Sequence, residues 1–68
     1  MYTLGIPNRQ YRRCTQVLGH EGANPIDYES EKQEDGLFYI FSFPEADEYD
    51  FRDIVHLLKR NGITTIFS

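Results

Sequence analysis

Few side chains in this chain have the types and spacing that catalysis requires. The two histidines are His56 and His20, and His20 directly precedes Glu21. A histidine beside a carboxylate can act as an acid/base pair, but neither a nucleophile nor an oxyanion motif accompanies this one. We interpret both histidines as surface residues and expect a binding protein. The competing hypothesis is an enzyme that uses His20 and Glu21 at a dimer interface.

Three arginines form a basic cluster near the start of a predicted helix: Arg9, Arg12 and Arg13. Guanidinium groups and the free amides of a helix N-terminus can together bind an anion. Arginines on a solvated face more often serve solubility or pair with acids, here those of residues 45–53 on the neighbouring helix. We favour this second interpretation and keep the arginines as possible anion-binding residues.

Cys14 is the only cysteine, which rules out an internal disulfide and argues against a zinc site. Its apolar neighbours on the predicted helix are Tyr11 and Leu18, so we expect a packed core thiol. We predict no metal site and no cofactor. A single cysteine and the absence of a signal-peptide pattern favour a reducing, cytoplasmic setting.

Length and charge limit the classes of function. In 68 residues there is room for one domain, 1–68, with one small core and a shallow or shared site. No apolar run approaches the ~20 residues that a membrane span needs. Residues 1–20 carry three arginines and no acid, whereas residues 21–68 carry four basic residues against 11 acids, which gives −7. The first helix is therefore basic and the remainder acidic.

The first half of the chain predicts a strand and a helix. Tyr2–Ile6 alternates apolar and small or polar residues, which is typical of a strand, and Pro7 ends it. Asn8 is a good helix N-cap, and Gly19 stands where a left-handed terminator is expected. Between them one apolar face is formed by Tyr11, Cys14, Thr15 and Leu18.

The second half predicts strand, strand, helix, strand. Ile26–Glu31 alternates, Asp35-Gly36 is a hairpin signal, and Leu37–Phe43 is apolar on both faces, which indicates a central strand. Acids at 45–50 precede a second helix that Asn61-Gly62 ends. Its core stripe is Phe51, Ile54, Val55 and Leu58, and a final strand follows at 63–67.

The order βαββαβ predicts an α+β fold, a ferredoxin-like two-layer sandwich. Its four-stranded antiparallel sheet has strands one and three in the middle and both helices on one face. On the open face we expect Thr3, Gly5, Asp27, Glu29 and Glu31. The third strand adds either Leu37, Tyr39, Phe41 and Phe43 or Phe38 and Ile40. The predicted core is Leu4, Ile6, Tyr11, Cys14, Leu18, Ile26, Ile40, Phe51, Ile54, Val55 and Leu58.

The element order resembles that of RNA-recognition modules, which stack bases on aromatics of their first and third strands. Their third strand carries Lys/Arg-Gly-Phe/Tyr-Gly/Ala-Phe-Val-x-Phe/Tyr. Residues 35–42, Asp-Gly-Leu-Phe-Tyr-Ile-Phe-Ser, lack the basic lead and place the aromatics out of phase. The acidic second strand would also repel phosphate, so we expect no nucleic-acid partner.

The order is also similar to that of ACT-type regulatory domains, which bind amino acids between paired copies. That resemblance implies residues 19–22 as a ligand loop, and a small-ligand domain is our alternative function. We favour a helix end followed by a flexible loop, because Gly-His-Glu-Gly is not a diagnostic motif.

We expect the chain to act as an interaction or regulatory module that forms a two-fold homodimer, with another protein as a possible partner and no membrane. An aromatic central strand must expose apolar residues, and the last strand has no charge or proline to protect its edge. The acids of the second strand oppose face-to-face packing beside them, so we favour the last strand. The predicted contact residues are Tyr39, Phe41, Phe43, Ile63, Thr65 and Phe67. A monomer is the alternative.

Overall fold

The protein has an α+β fold in which two helices pack on one face of a three-stranded antiparallel sheet. The structure is a computed structural model that describes residues 1–20 and 27–66. The elements are β1 (Tyr2–Pro7), a 3₁₀ turn (Asn8–Gln10), α1 (Tyr11–His20), β2 (Glu29–Lys32), β3 (Phe38–Phe43) and α2 (Glu48–Arg60). The strand order is β1-β3-β2, so the aromatic strand is central. The predicted α+β class, antiparallel sheet and central third strand are confirmed.

The strand register divides the sheet into two faces. Leu4 pairs with Phe41 and Tyr2 with Phe43, and these positions point to the helices; we call this side the covered face. Because side chains alternate along a strand, the intervening positions point away from the helices. We call this side the open face; its strand positions are Thr3, Gly5, Pro7, Glu29, Glu31, Phe38, Ile40 and Ser42.

The core lies between the covered face and the helices. Six residues predicted for the core are buried: Leu4, Ile6, Cys14, Ile54, Val55 and Leu58. Three others, Tyr11, Leu18 and Phe51, are half-buried against it, and Ile26 lies outside the described residues. Ile40 was predicted wrongly, because the register places it on the open face. The sequence prediction omitted Val17, Phe41, Phe43 and Ile63.

The start of α1 differs from the prediction. Asn8 does not cap the helix: its side-chain amide donates to the Gly36 carbonyl oxygen at 3.0 Å, and its backbone N–H donates to the Leu37 carbonyl at 2.8 Å. These two hydrogen bonds connect the end of β1 to the β2–β3 turn. In place of a helix capped by Asn8, residues Asn8–Gln10 form a 3₁₀ turn that precedes α1. Gly19 is not a terminator either, since α1 continues through His20.

The ends of α2 and the hairpin follow the predicted signals. Asp47 caps α2 by accepting from the Asp50 backbone N–H at 2.8 Å, and the Asp50 carboxylate accepts in return from Asp47. Gly62 ends the segment with φ of 76°, and Gly36 forms the hairpin turn with φ of 71°. Both angles lie in the left-handed region that glycine adopts without strain.

After α2 the chain returns to the free edge of β1. Gly5 and Ile66 form an antiparallel bridge, in which each backbone N–H donates to the other's carbonyl oxygen at 2.7 and 2.9 Å. This register places Thr64 opposite Pro7, which has no N–H to donate. The Thr64 N–H instead donates to the Gln10 side-chain oxygen at 2.8 Å. Proline thus limits the pairing in this part of the ladder.

Candidate interaction surface

One row of residues crosses the open face from edge to edge. The pairing of Glu31 with Ile40, of Ile40 with Gly5, and of Gly5 with Ile66 places these four in line. Ile66 retains 42% of its surface exposure, and Ile40 is half-buried. An ideal Cβ on Gly5 would lie 3.6 Å from the Ile66 Cβ and 3.8 Å from the Ile40 Cδ1. Gly5 is itself buried, and the two isoleucines lie close together over it.

A shallow depression of about 270 Å³ lies beside this row. Its apolar wall comes from Phe38, Ile40 and Ile66, and Thr3 borders it on β1. Gln33 and Asp35 of the β2–β3 turn close one side. The depression is open to solvent, and its described lining holds no convergent set of polar groups. Its form therefore suits an apolar side chain of another molecule better than an enclosed ligand.

The charges of the open face are acidic. Glu29 and Glu31 are exposed, and they pair with Ser42 and Ile40 of β3. The strand positions that point to this face, within the described residues, carry no basic side chain. On this face the acids lie on β2, and the apolar side chains lie on β3 and the C-terminal segment.

The residues predicted for self-association lie mostly on the covered side. Phe41, Phe43 and Ile63 are buried in the monomer core and are not available to a second chain. Tyr39 also points to the helices, with its ring centroid 3.9 Å from that of Tyr11. Thr65 is half-buried and its hydroxyl oxygen is fully buried. Phe67 lies outside the described residues.

The sequence leaves open which face of β3 is exposed, and the structure resolves this choice. Glu31 pairs with Ile40 and Glu29 with Ser42, so Ile40 and Ser42 lie on the same face of the sheet as these acids. Phe38 lies on that face as well, because side chains alternate along β3. A symmetric hairpin around Asp35-Gly36 would have indicated this register. Of the two alternatives for the third strand, Phe38 and Ile40 are therefore the open-face set, and Ile66 is the apolar residue of this face that sequence reasoning missed.

The basic cluster is exposed on the first turns of the helical region. Arg9 lies in the 3₁₀ turn, and Arg12 and Arg13 lie in the first turn of α1. The predicted pairing with acids of α2 is not seen: in the described part of the chain the ion pair within 4.0 Å is Arg52–Glu48, at 3.5 Å. The cluster is thus a solvated basic surface.

The remaining candidate groups are the two histidines and Cys14. His56 is exposed on α2, as predicted. Glu21, the proposed acid/base partner of His20, lies outside the described residues, as does the second half of the predicted ligand loop, residues 21–22. Cys14 is fully buried, which confirms the predicted core thiol, and burial raises its pKa to about 12. Across residues 1–20 and 27–66 no three His, Cys, Asp or Glu side chains group as a metal site.

Neither membrane insertion nor similarity to known proteins offers a further guide to this surface. None of the helices described is long and apolar enough to cross a membrane. Searches against protein-family models, curated proteins and solved structures find no match to this chain. The function must therefore be argued from the surface itself.

Proposed function

We propose that the protein is a small non-catalytic interaction module that self-associates through its open face. The observation that carries this proposal is the apolar group Phe38, Ile40 and Ile66, which lies on the side of the sheet opposite both helices. Phe38 and Ile40 are half-buried and Ile66 is 42% exposed in the monomer. Apolar clusters that reach solvent and are bordered by polar residues are typical of protein-protein contacts. The sequence-based proposal is retained, but its contact residues are replaced.

The chemistry of the described residues supports a binding role over catalysis. A cysteine nucleophile must be a thiolate, and Cys14, with a pKa of about 12, stays protonated near neutral pH. The depression beside Gly5 is shallow, and its acidic border does not suit an anionic ligand. We also propose a reducing intracellular setting, because the one cysteine is buried and unpaired.

We further infer that the C-terminal segment is a fourth strand, which gives the ferredoxin-like βαββαβ topology. The antiparallel Gly5–Ile66 bridge supports this, since a strand paired there would lie beside β1 and extend the order β2-β3-β1 by the C-terminal segment. Hydrogen exchange tests it: the Ile66 amide, which donates to Gly5, should exchange far more slowly than the neighbouring Thr65 amide. Equal, rapid exchange of both amides would contradict a fourth strand.

The size of the face sets the expected affinity. Four strands spaced about 4.8 Å apart and six residues of about 3.3 Å give a face of roughly 400 Å² in projection. Stable complexes bury about 800 Å² on each partner, so we expect a weak dimer with a dissociation constant on the order of micromolar or above.

Sedimentation equilibrium from roughly 10 to roughly 500 µM tests the proposal. The average mass should rise from 8.0 kDa toward twice that value. Ile40→Thr keeps a β-branched residue in the strand but removes apolar contact, and it should weaken the dimer about tenfold. The matched control is Tyr49→Thr, since Tyr49 is 72% exposed on α2, away from the open face. A constant monomer mass, or equal effects of both variants, would overturn the proposal.

A further inference from the structure

A second depression lies where the end of β1 meets the β2–β3 turn, and we call it the turn depression. Its volume is about 490 Å³, and it is open to solvent. Its apolar wall comes from Pro7, Leu37 and Phe38, and the other lining residues are Asn8, Arg9 and Gly36. Of these described residues, Phe38 alone also lines the depression of the open face. The turn depression is therefore a separate surface, and it lies outside the contact proposed above.

Three hydrogen bonds hold the backbone of the turn depression in place. The Asn8 side-chain amide donates to the Gly36 carbonyl oxygen at 3.0 Å, and the Asn8 N–H donates to the Leu37 carbonyl oxygen at 2.8 Å. The Leu37 N–H donates to the Asp35 carboxylate at 2.9 Å. Leu37 is thus fixed in its backbone while its residue remains 62% exposed. A preformed apolar surface of this kind loses little conformational entropy when a partner binds.

The charge of the turn depression is opposite to that of the open face. Arg9 lines it, and none of its described lining residues is acidic. In the described part of the chain Arg9 lies in no ion pair, since the pair found there joins Arg52 and Glu48. The Asp35 carboxylate accepts from the Leu37 N–H and lines the other depression. An unpaired guanidinium group beside an apolar wall is complementary to a carboxylate that lies beside an apolar group.

The arginines continue from this depression along the exposed side of α1. Arg12 and Arg13 are exposed and follow Arg9 by three and four positions, so neighbouring Cβ atoms lie about 5–6 Å apart. Carboxylates on alternate residues of an extended peptide have a similar spacing, about 6.6 Å. A small carboxylate would use Arg9 alone, whereas such a peptide can use all three arginines. Residues 21–68 carry −7, and this charge repels a long polyphosphate more than a short acidic peptide.

We propose that the turn depression and Arg9, Arg12 and Arg13 form a docking site for an extended acidic peptide segment of a partner protein. An apolar side chain of the segment occupies the depression, and the carboxylates that follow it on alternate residues pair with the arginines. This site goes beyond the function proposed above and does not require self-association. Exposed ion pairs each contribute little, so we expect a dissociation constant on the order of 100 µM.

Titration with the peptide acetyl-Phe-Glu-Ser-Glu-Ser-Glu-amide, followed by amide NMR at low salt, tests the site. The amide signals of residues 9–13 and 36–38 should shift most. Replacing the phenylalanine of the peptide with serine, or its three glutamates with glutamine, should weaken binding at least about fivefold. Equal binding of these peptides, or shifts confined to other residues, would overturn the proposal. Hexanoate or a short single-stranded oligonucleotide binding as tightly as the peptide would overturn the choice of partner.

Two variants of the chain and two matched controls locate the contact. Arg9→Gln and Leu37→Ser should each weaken peptide binding about fivefold, and both residues are exposed, so the fold tolerates the changes. Arg52→Gln and Tyr49→Ser make similar changes at exposed positions of α2 and should have less than about a twofold effect. Equal losses in variants and controls would overturn the site. Failure of the proposed function is a different result, since it is seen in sedimentation of the chain without peptide.

Discussion

The two faces of one sheet have different compositions. The covered face carries large apolar side chains, and Leu4, Ile6, Phe41 and Phe43 are at most 1% exposed. The open face carries one apolar group beside two carboxylates, and the adjacent Gly5 has no side chain. β3 is apolar on both sides, so it cannot by itself indicate which side is the core. Its neighbours make that distinction, since β2 places acids on one side only.

The largest expected effect compares two phenylalanines of β3. Phe41 is fully buried on the covered face, and Phe38 is half-buried on the open face. Phe41→Ala should lower the free energy of unfolding by about 3–5 kcal/mol, because it leaves a cavity in the core. Phe38→Ala should lower it by about 1 kcal/mol, since less apolar area returns to water. Urea denaturation of dilute, monomeric protein measures both.

A chain of this size has a stability of only about 5 kcal/mol, so Phe41→Ala can abolish folding. Phe41→Leu then provides the comparison, with a loss of about 1–2 kcal/mol, against a smaller loss for Phe38→Leu. Equal losses at the two positions would contradict the assignment of the faces.

Much of the fold could be predicted from local patterns. Helix α2 is predicted by its stripe, its acidic start and Gly62, and these features agree because each is determined within a few residues. The assignment of Ile40 to the core was wrong because it depends on strand register, which spans the hairpin. The prediction for Asn8 was wrong for the same reason: its side chain bonds to Gly36, 28 residues away, and no local pattern signals this.

The second prediction tests whether water reaches the Cys14 thiol beneath the covered face. Burial raises the pKa of this thiol from 9.0 to about 12. As pH rises, the Cys14 thiol therefore loses its proton at a lower pH in the unfolded chain than in the folded protein. The contribution of the neutral thiol to the free energy of unfolding is complete below about pH 9 and declines as pH rises toward about 12. From about pH 8 to about pH 10 the loss should be about 1 kcal/mol.

Cys14→Ala is the control for this titration, because it removes the thiol and retains every other titratable side chain. Urea denaturation of both proteins at the two pH values should show a larger decrease for the natural chain. Identical decreases would mean that water or a polar group reaches the thiol in the folded state.

The candidate surface was harder to predict than the fold. An aromatic central strand correctly suggested that apolar residues lie on the open face, but these are the half-buried Phe38 and Ile40, with the exposed Ile66 beside them, and not the buried Phe41 and Phe43. The β-branched residues at 63–66 gave no sign of which would face inward. Their orientation follows from the bridge between Gly5 and Ile66. The register of this bridge depends on where α2 ends and on the hydrogen bond from the Thr64 N–H to the Gln10 side chain.

The smallest expected effect contrasts two adjacent threonines of that segment. The bridge register turns Thr64 toward the open side and Thr65 toward the covered side, where its Oγ1 is buried and has no hydrogen-bond partner. Burying an unpaired hydroxyl is unfavourable, and valine has nearly the same shape without it. Thr65→Val should therefore raise the free energy of unfolding by about 0.5–1 kcal/mol, whereas Thr64→Val, at an exposed position, should change it by less than about 0.5 kcal/mol. Urea denaturation of the two variants makes the comparison directly, and because both gain the same β-propensity, their difference isolates the buried hydroxyl. A loss of stability on Thr65→Val would show that Oγ1 does have a partner in solution, and the inward orientation of this segment would then be wrong.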